Sequence, residues 1–162
     1  MALLSGEYQA TLDDKGRISI PARFREGVPD NVLVLTRGLI EHCVWAMTME
    51  NWEEFSAQFK GRLSIPLQMA DMVHHRMLHS TYEVELDKAG RIAVPQKLRD
   101  FAGLSKDCVV TSDGFRIEIW DAARHADYER RIEEQFPMVL NEMGTDMRLL
   151  IDKGVQPGKG GL

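Results

Sequence analysis

The sequence lacks the features on which several protein classes depend. Its 162 residues include only two cysteines, Cys43 and Cys108, which are too few for a disulfide scaffold and are not spaced as a metal-binding pair. No apolar run approaches the roughly 18 residues that a membrane-spanning helix needs. With 44% apolar and 28% charged residues, the chain is not of the disordered type either. We therefore expect a soluble cytoplasmic protein that does not enter a membrane.

Signatures of enzymes are also lacking. We find no nucleophile–histidine–acid pattern, phosphate-binding loop or dinucleotide fingerprint. Asp71, His75 and His79 recur at helical spacing beside His74 and could offer metal ligands, but no second cluster completes a tetrahedral site. We predict no enzyme, no cofactor and no bound metal, with a metal-dependent hydrolase using His75 and His79 as a minor alternative.

The charged residues are unevenly distributed. The formal net charge is −5, from 25 acidic and 20 basic residues, and this sum alone argues mildly against a nucleic-acid-binding protein. Local clustering matters more than the sum. Two short segments each hold four cations, which are Lys15, Arg17, Arg23 and Arg25 in the first and Lys88, Arg91, Lys97 and Arg99 in the second.

These two segments are copies of one another. Leu12–Arg25 returns as Leu86–Arg99, 74 residues later and without gaps, with seven of fourteen residues identical. Unrelated segments would match at about one position in fourteen. The similarity continues downstream, where Val32–Gly38 aligns with Cys108–Gly114. The chain therefore contains an internal duplication.

Each copy predicts the same order of short elements. Alternating polar and β-branched residues predict a half-buried strand after each turn, and the proline that follows suits the first turn of a helix. Both cysteines and all three tryptophans fall in predicted elements with apolar periodicity, which favours the core. The predicted strands are 7–12, 17–20, 32–35 and 43–47, then 82–86, 91–94, 108–111 and 116–120; the predicted helices are 22–26, 49–59, 67–79, 96–101 and 122–136.

The duplication also predicts the domain organisation. We expect a first unit at 6–60, a bridging helical segment at 61–79, a second unit at 80–136, and a C-terminal helix and flexible tail at 137–162. One unit of about 75 residues buries little core. Two units can interleave their hairpins into a single closed barrel without exposed edges. The predicted fold is thus α+β, a pseudo-twofold β-barrel body with flanking helices.

The doubled segment resembles a known family. The paired Asp-x-x-Gly-Arg-Ile-x-Ile/Val-Pro elements resemble the SpoVT/AbrB type of swapped-hairpin DNA-binding domain, and two in tandem resemble the MraZ family of bacterial transcriptional regulators, from about Gly6 to Phe136. The resemblance implies a sequence-specific, nucleoid-associated repressor that forms ring-like homo-oligomers. It also implies binding of double-stranded DNA at short G-rich direct repeats, upstream of an operon for cell division and peptidoglycan synthesis.

The turns and their cations form the predicted DNA-binding site. Arg17 and Arg91 follow the turn glycines, where a rigidly held guanidinium can bond guanine O6 and N7, and further cations can replace counterions along the phosphates. The predicted DNA-binding residues are Arg17, Lys15, Arg23, Arg25, Arg91, Lys97 and Arg99. The predicted turn-shaping residues are Asp13, Gly16, Asp87 and Gly90.

Alternatives stay open at this point. Asp13 and Arg17 could instead form a solvated surface ion pair, which contributes negligible energy. The cations that follow each turn suit contacts between subunits as well as contacts to phosphate; these are Arg23, Arg25, Lys97 and Arg99. A different class of function is an AbrB-type, antitoxin-like interaction module, in which the helix at 122–136 and the residues after it hold a partner protein.

Overall fold

Eight strands and five helices follow one another along the described part of the chain, which comprises residues 5–61 and 65–144 of a computed structural model. The α+β class predicted from the sequence is confirmed. The strands are β1 (Gly6–Thr11), β2 (Arg17–Ser19), β3 (Val32–Arg37), β4 (Val44–Met47), β5 (Tyr82–Glu85), β6 (Arg91–Ala93), β7 (Asp107–Ser112) and β8 (Ile117–Asp121). The helices are α1 (Ala22–Arg25), α2 (Met49–Gly61), α3 (Leu67–Leu78), α4 (Gln96–Ala102) and α5 (Ala122–Glu142).

The strands of the two copies are exchanged within one antiparallel sheet. Its order is β1-β7-β8-β4-β3-β5, and β2 and β6 form a separate two-stranded ladder. Strand β1 of the first copy pairs with β7 of the second, while β5 of the second copy pairs with β3 of the first. Each copy therefore depends on the other for the partner of its first strand.

Equivalent residues of the two copies pair with each other. Ile18 of β2 lies opposite Ile92 of β6, its own counterpart in the repeat. The backbone N–H of Ile20 donates to Gly90 O, and that of Val94 donates to Gly16 O, both at 2.9 Å. Such reciprocal pairing is what a local twofold axis between the copies produces.

The predicted closed barrel is not found among the described residues. Strands β1 and β5 remain the two edges of the six-stranded sheet. Strand β2 contacts β1 and β6 contacts β5, but a single bridge, Leu12 to Ile18, joins the ladder to an edge. The physical reason is length, because β2 and β6 have three residues each and use them to pair with one another.

The core lies beneath the two-stranded ladder and one face of the sheet. Ile18, Ile20, Ile92 and Val94 are at most 2% exposed and pack with Phe24 of α1 and Leu98 of α4. Alternation along β2 and β6 explains this, since successive side chains of a strand point to opposite faces. The predicted burial of Cys43 and Cys108 is confirmed, as is that of Trp45 and Trp120, whereas Trp52 on α2 is only half-buried.

The helices start and end where local chemistry allows. α1 and α4 begin directly after Pro21 and Pro95, as predicted, and α4 ends at Ala102, where Gly103 caps it with a left-handed φ of 59°. α3 matches the predicted bridging helix. α5 continues through Pro137, beyond the predicted end at Phe136. None of the helices in the described ranges combines the length and hydropathy that crossing a bilayer requires.

Contacts divide the chain after His125 into two units. The first holds all eight strands. In the second, the described part of α5 carries exposed ion pairs of Arg130 with Asp127 and Glu134. The predicted repeat boundaries at 6–60 and 80–136 stay a prediction, and the predicted flexible tail lies outside the described residues.

The pairing of Ile18 with Ile92 predicts that both copies unfold together. Ile92→Ala removes a buried side chain from the centre of the shared core and should lower the free energy of unfolding by about 2–5 kcal/mol. Urea unfolding followed by circular dichroism and tryptophan fluorescence should give one cooperative transition. Ser19→Ala, on the exposed side of the same ladder, is the control and should change stability by less than about 0.5 kcal/mol. Two separate transitions would contradict the shared core.

Candidate nucleic-acid interface

The carboxylate of Asp13 organises the first turn. Its Oδ1 accepts hydrogen bonds from the backbone N–H groups of Lys15 (2.9 Å) and Arg17 (2.8 Å), and its Oδ2 accepts one from Arg17 Nε (2.7 Å). The backbone completes the turn, because Asp13 N donates to Arg17 O and Gly16 N donates to Asp13 O. One carboxylate therefore fixes both the backbone and the guanidinium of Arg17.

The second turn repeats this arrangement. Asp87 Oδ1 accepts from the N–H groups of Ala89 and Arg91, and Oδ2 accepts from Arg91 Nε, each at 2.9 Å. These bonds explain why the pKa of both aspartates lies below the ordinary 3.8, with the backbone N–H of the turn arginine as the largest cause. Both groups are carboxylates at neutral pH.

An arginine of the opposite copy covers each turn glycine. Gly16 and Gly90 adopt φ of 75° and 76°, a region that disfavours other residues. A Cβ on Gly16 would lie 2.6 Å from Cζ of Arg99, and a Cβ on Gly90 would overlap the guanidinium of Arg25. The conformation therefore favours glycine, and a larger residue would also have to displace the covering arginine.

Arg25 and Arg99 thus connect the two copies. Arg99 Nε donates to Val94 O at 2.9 Å. Arg25 Nε is buried and has no hydrogen-bond partner in the part of the chain that the structure describes. Both side chains are half-buried. Their packing onto the turns is a structural role that sequence reasoning missed, because the crossing from one copy to the other leaves no local signal.

The two turn arginines share one outward face. Ile18 and Ile92 point into the core, so the alternate residues of the ladder, Arg17, Ser19, Arg91 and Ala93, point away from it. Arg17 is paired with Ala93, and Arg91 with Ser19, which makes the arginines diagonal neighbours at a Cα spacing of about 7–8 Å. Arg91 Nη1 also lies 4.0 Å from Asp13 Oδ2. Each arginine side chain is about one-third exposed, at 33% and 34%.

Further exposed cations lie in the turns or on the short helices that follow them in the sequence. Lys15 and Lys88 lie at the tips of the first and second turn, Arg23 is exposed on α1, and Lys97 is exposed on α4. Lys88 is not among the residues predicted to bind DNA. The sequence could have indicated Lys88, because the repeat places it at the tip of the second turn, at the position that Asp14 holds in the first.

The histidine-rich stripe on α3 does not become a three-ligand cluster. The rings of His75 and His79 lie 4.5 Å apart. Within the ranges that the structure describes, the ligand atoms of Asp71, His75 and His79 do not all come within 4.8 Å of one another. This geometry gives the hydrolase alternative no support.

Comparison with known proteins matches both copies of the repeat. A family model described as "MraZ protein, putative antitoxin-like" matches residues 3–72 and 77–144. The chain belongs to the MraZ family. The family resemblance recognised from the paired turn elements is thereby confirmed.

Relatives named transcriptional regulator MraZ match over most of their length. The protein of Treponema denticola is 38% identical over 141 residues, which are 87% of this chain and 97% of the relative. That of Natranaerobius thermophilus is 36% identical over 143 residues, 87% of this chain and 96% of the relative. The solution structure of PHS018 from Pyrococcus horikoshii covers 74% of this chain and 89% of its own at 18% identity and a TM-score of 0.30.

The covered glycine predicts a coupling between the copies. Gly16→Ala places a Cβ at positive φ and against Arg99, so the free energy of unfolding should fall by more than about 1 kcal/mol. Arg99→Ala removes the clash, and the double variant should show a coupling of about 0.5–3 kcal/mol in urea unfolding. Gly144→Ala, which has positive φ but open space around it, is the control without a clash. Additive effects of Gly16→Ala and Arg99→Ala would contradict the packing.

The lowered pKa of Asp13 and Asp87 predicts an acid-sensitive pair of turns. Because folding lowers each pKa, the stability that the carboxylates contribute is present above 3.8 and is lost as the pH falls through the folded value. Carbon-detected NMR titration of both carboxyl groups should give midpoints below 3.8, and the Asp13→Asn/Asp87→Asn variant should lose less stability on acidification. Midpoints at or above 3.8 would refute this account of the turns.

Proposed function

We propose that this chain is a DNA-binding transcriptional regulator that reads DNA with the outward face of the β2–β6 ladder. The observation that carries the proposal is the placement of Arg17 and Arg91, one from each copy, side by side on that face. The relatives named transcriptional regulator MraZ support the same function.

The ladder has the dimensions and chemistry for the major groove. A two-stranded ribbon fits this groove, which is about 12 Å wide. Arginine offers a planar fork that can bond guanine O6 and N7 together, and its carboxylate partner in each turn fixes the backbone that presents it. Ser19 and Ala93 are small, so the two arginines are the long side chains of the face.

The net charge of −5 does not oppose DNA binding. The cations gather at the turns and on the short helices after them, while the turn carboxylates Asp13 and Asp87 are occupied by arginine and backbone donors. Exposed Lys15, Lys88, Arg23 and Lys97 supply phosphate contacts in this proposal. Arg25 and Arg99 support the turns and contribute charge from behind them.

Assembly, location and DNA target are proposed from the family resemblance. The two copies are swapped-hairpin units of the SpoVT/AbrB type at 6–60 and 80–136, and the protein is a ring-like homo-oligomer in the cytoplasm and nucleoid. It represses by binding short G-rich direct repeats upstream of a cell-division and cell-wall operon. A ring matched to tandem repeats gains affinity through effective concentration, so each protomer can bind modestly.

A second candidate function is an antitoxin-like interaction module. The printed family description includes the term antitoxin-like, and α5 exposes apolar side chains at Ile132, Phe136 and Val139. In that case the principal ligand is a partner protein, and the ladder arginines have no role in binding DNA.

An anisotropy titration tests the ladder directly. A labelled duplex with three tandem G-rich repeats and a scrambled duplex are titrated over a range of salt concentrations. Arg17→Ala and Arg91→Ala should each weaken repeat-specific binding at least about tenfold and relax specificity, whereas Lys15→Ala, which removes a proposed phosphate contact, should lower the salt slope by about one. Arg17→Lys should keep the salt slope and lose specificity, because an ammonium cannot bond guanine as a fork.

The matched control is Arg130→Ala. It also removes one arginine that is ion-paired with an aspartate, here exposed Asp127 on α5, and it should leave DNA binding unchanged. Unchanged binding in both ladder variants would remove the ladder from the mechanism. Equally weak binding of wild type to both duplexes would favour the interaction module.

A further inference from the structure

Two arginines and a histidine lie around the ring of Phe101 on α4. Cζ of Arg37 and Cζ of Arg76 each lie 5.2 Å from the ring centroid, and the ring of His42 lies 4.8 Å from it, centroid to centroid. Arg37 ends β3, Arg76 belongs to α3, and His42 lies in the connection between β3 and β4. Four separate parts of the chain therefore meet at this ring.

The two guanidinium groups share the ring of Phe101, and no carboxylate pairs with them among the described residues. In the part of the chain that the structure describes, neither forms an ion pair with a carboxylate within 4.0 Å. Arg76 Nη1 donates to Gly38 O at 2.9 Å, while Arg37 Nε is buried with no hydrogen-bond partner. Burial lowers the pKa of the Arg76 guanidinium from its ordinary value, and the charge of Arg37 lowers it further.

This cluster is separate from the duplicated turns. Strand pairing makes Ser112 the counterpart of Arg37 in the second copy, and Arg76 lies on α3, between the two copies of the repeat. Within the described ranges the cluster therefore occurs once, whereas the ladder is built from both copies. Its chemistry has no role in the function proposed above.

We propose that Arg37, Arg76 and His42 form a binding site for a phosphate dianion, either orthophosphate or a phosphate monoester. Two guanidinium groups at one ring match a doubly charged, tetrahedral anion, since each can bond two of its oxygens. A single carboxylate would neutralise only one of the two charges. The ring of Phe101 forms an apolar wall that strengthens such bonds by excluding water, and exposed His42 beside the same ring adds a further donor in this proposal.

Thermal unfolding of the full-length protein in orthophosphate tests the site. At a phosphate concentration ten times the Kd, with ionic strength matched by sodium chloride, the melting temperature should rise by about 3–6 °C. Arg37→Gln and Arg76→Gln should each abolish the rise. Arg17→Ala should retain it, because its guanidinium belongs to the ladder. Phosphorus NMR of the wild type should show broadening of the orthophosphate signal, which Arg37→Gln removes even if Arg76→Gln folds poorly.

Further measurements distinguish the possible sources of the phosphate group from one another and from other uses of this cluster. A rise with a nucleoside 5′-monophosphate but not with the matching nucleoside supports a phosphorylated small molecule as ligand. A rise with duplex DNA that lacks terminal phosphates, lost in Arg37→Gln and kept in Arg17→Ala, would overturn the proposal, since a phosphodiester carries one charge. No phosphate-specific rise would also overturn it. So would dissociation of an assembly by Arg76→Gln without any phosphate effect, which would indicate pairing with carboxylates of a second copy.

Discussion

The rest of the structure depends on the antiparallel pairing of β2 with β6. This ladder of three residue pairs places Ile18 opposite Ile92, so that the inward face closes the core and the outward face carries Arg17 and Arg91. A slip of one residue would turn the arginines inward and the isoleucines outward. Core stability and the geometry of the candidate interface are therefore set by the same register.

Local sequence patterns predicted most elements to within a residue or two. Alternation gave the strands, Pro21 and Pro95 marked the starts of α1 and α4, and the Asp-x-x-Gly spacing indicated turns. Pairing between copies could not be predicted in this way, because the partners are far apart in sequence. The sequence alignment of the two copies placed Val32 opposite Cys108. The strand pairing differs from it by one residue, because Asp107 holds the position in the second copy that Val32 holds in the first.

Sequence reasoning predicted the candidate interface as two separate turns, each with its own arginine. It did not predict that the turns would contribute to one face, or that Arg25 and Arg99 would cross to the opposite turn. Both features depend on the exchange of strands between copies. The contrast with the Phe101 cluster is electrostatic. The turn arginines are held by aspartates of their own turns, whereas Arg37 and Arg76 lie against an aromatic ring and have no carboxylate partner in the part of the chain that the structure describes.

A protein–DNA double-mutant cycle can detect the proposed contact between Arg17 and a guanine. Binding of wild type and Arg17→Ala is measured on the tandem-repeat duplex and on duplexes in which single guanines are replaced by 7-deazaguanine, which lacks the N7 acceptor. If Arg17 bonds a guanine, the substitution at one guanine of each repeat should weaken wild-type binding by about 1–3 kcal/mol and should have no further effect on Arg17→Ala. Additive losses at every guanine would contradict a direct contact.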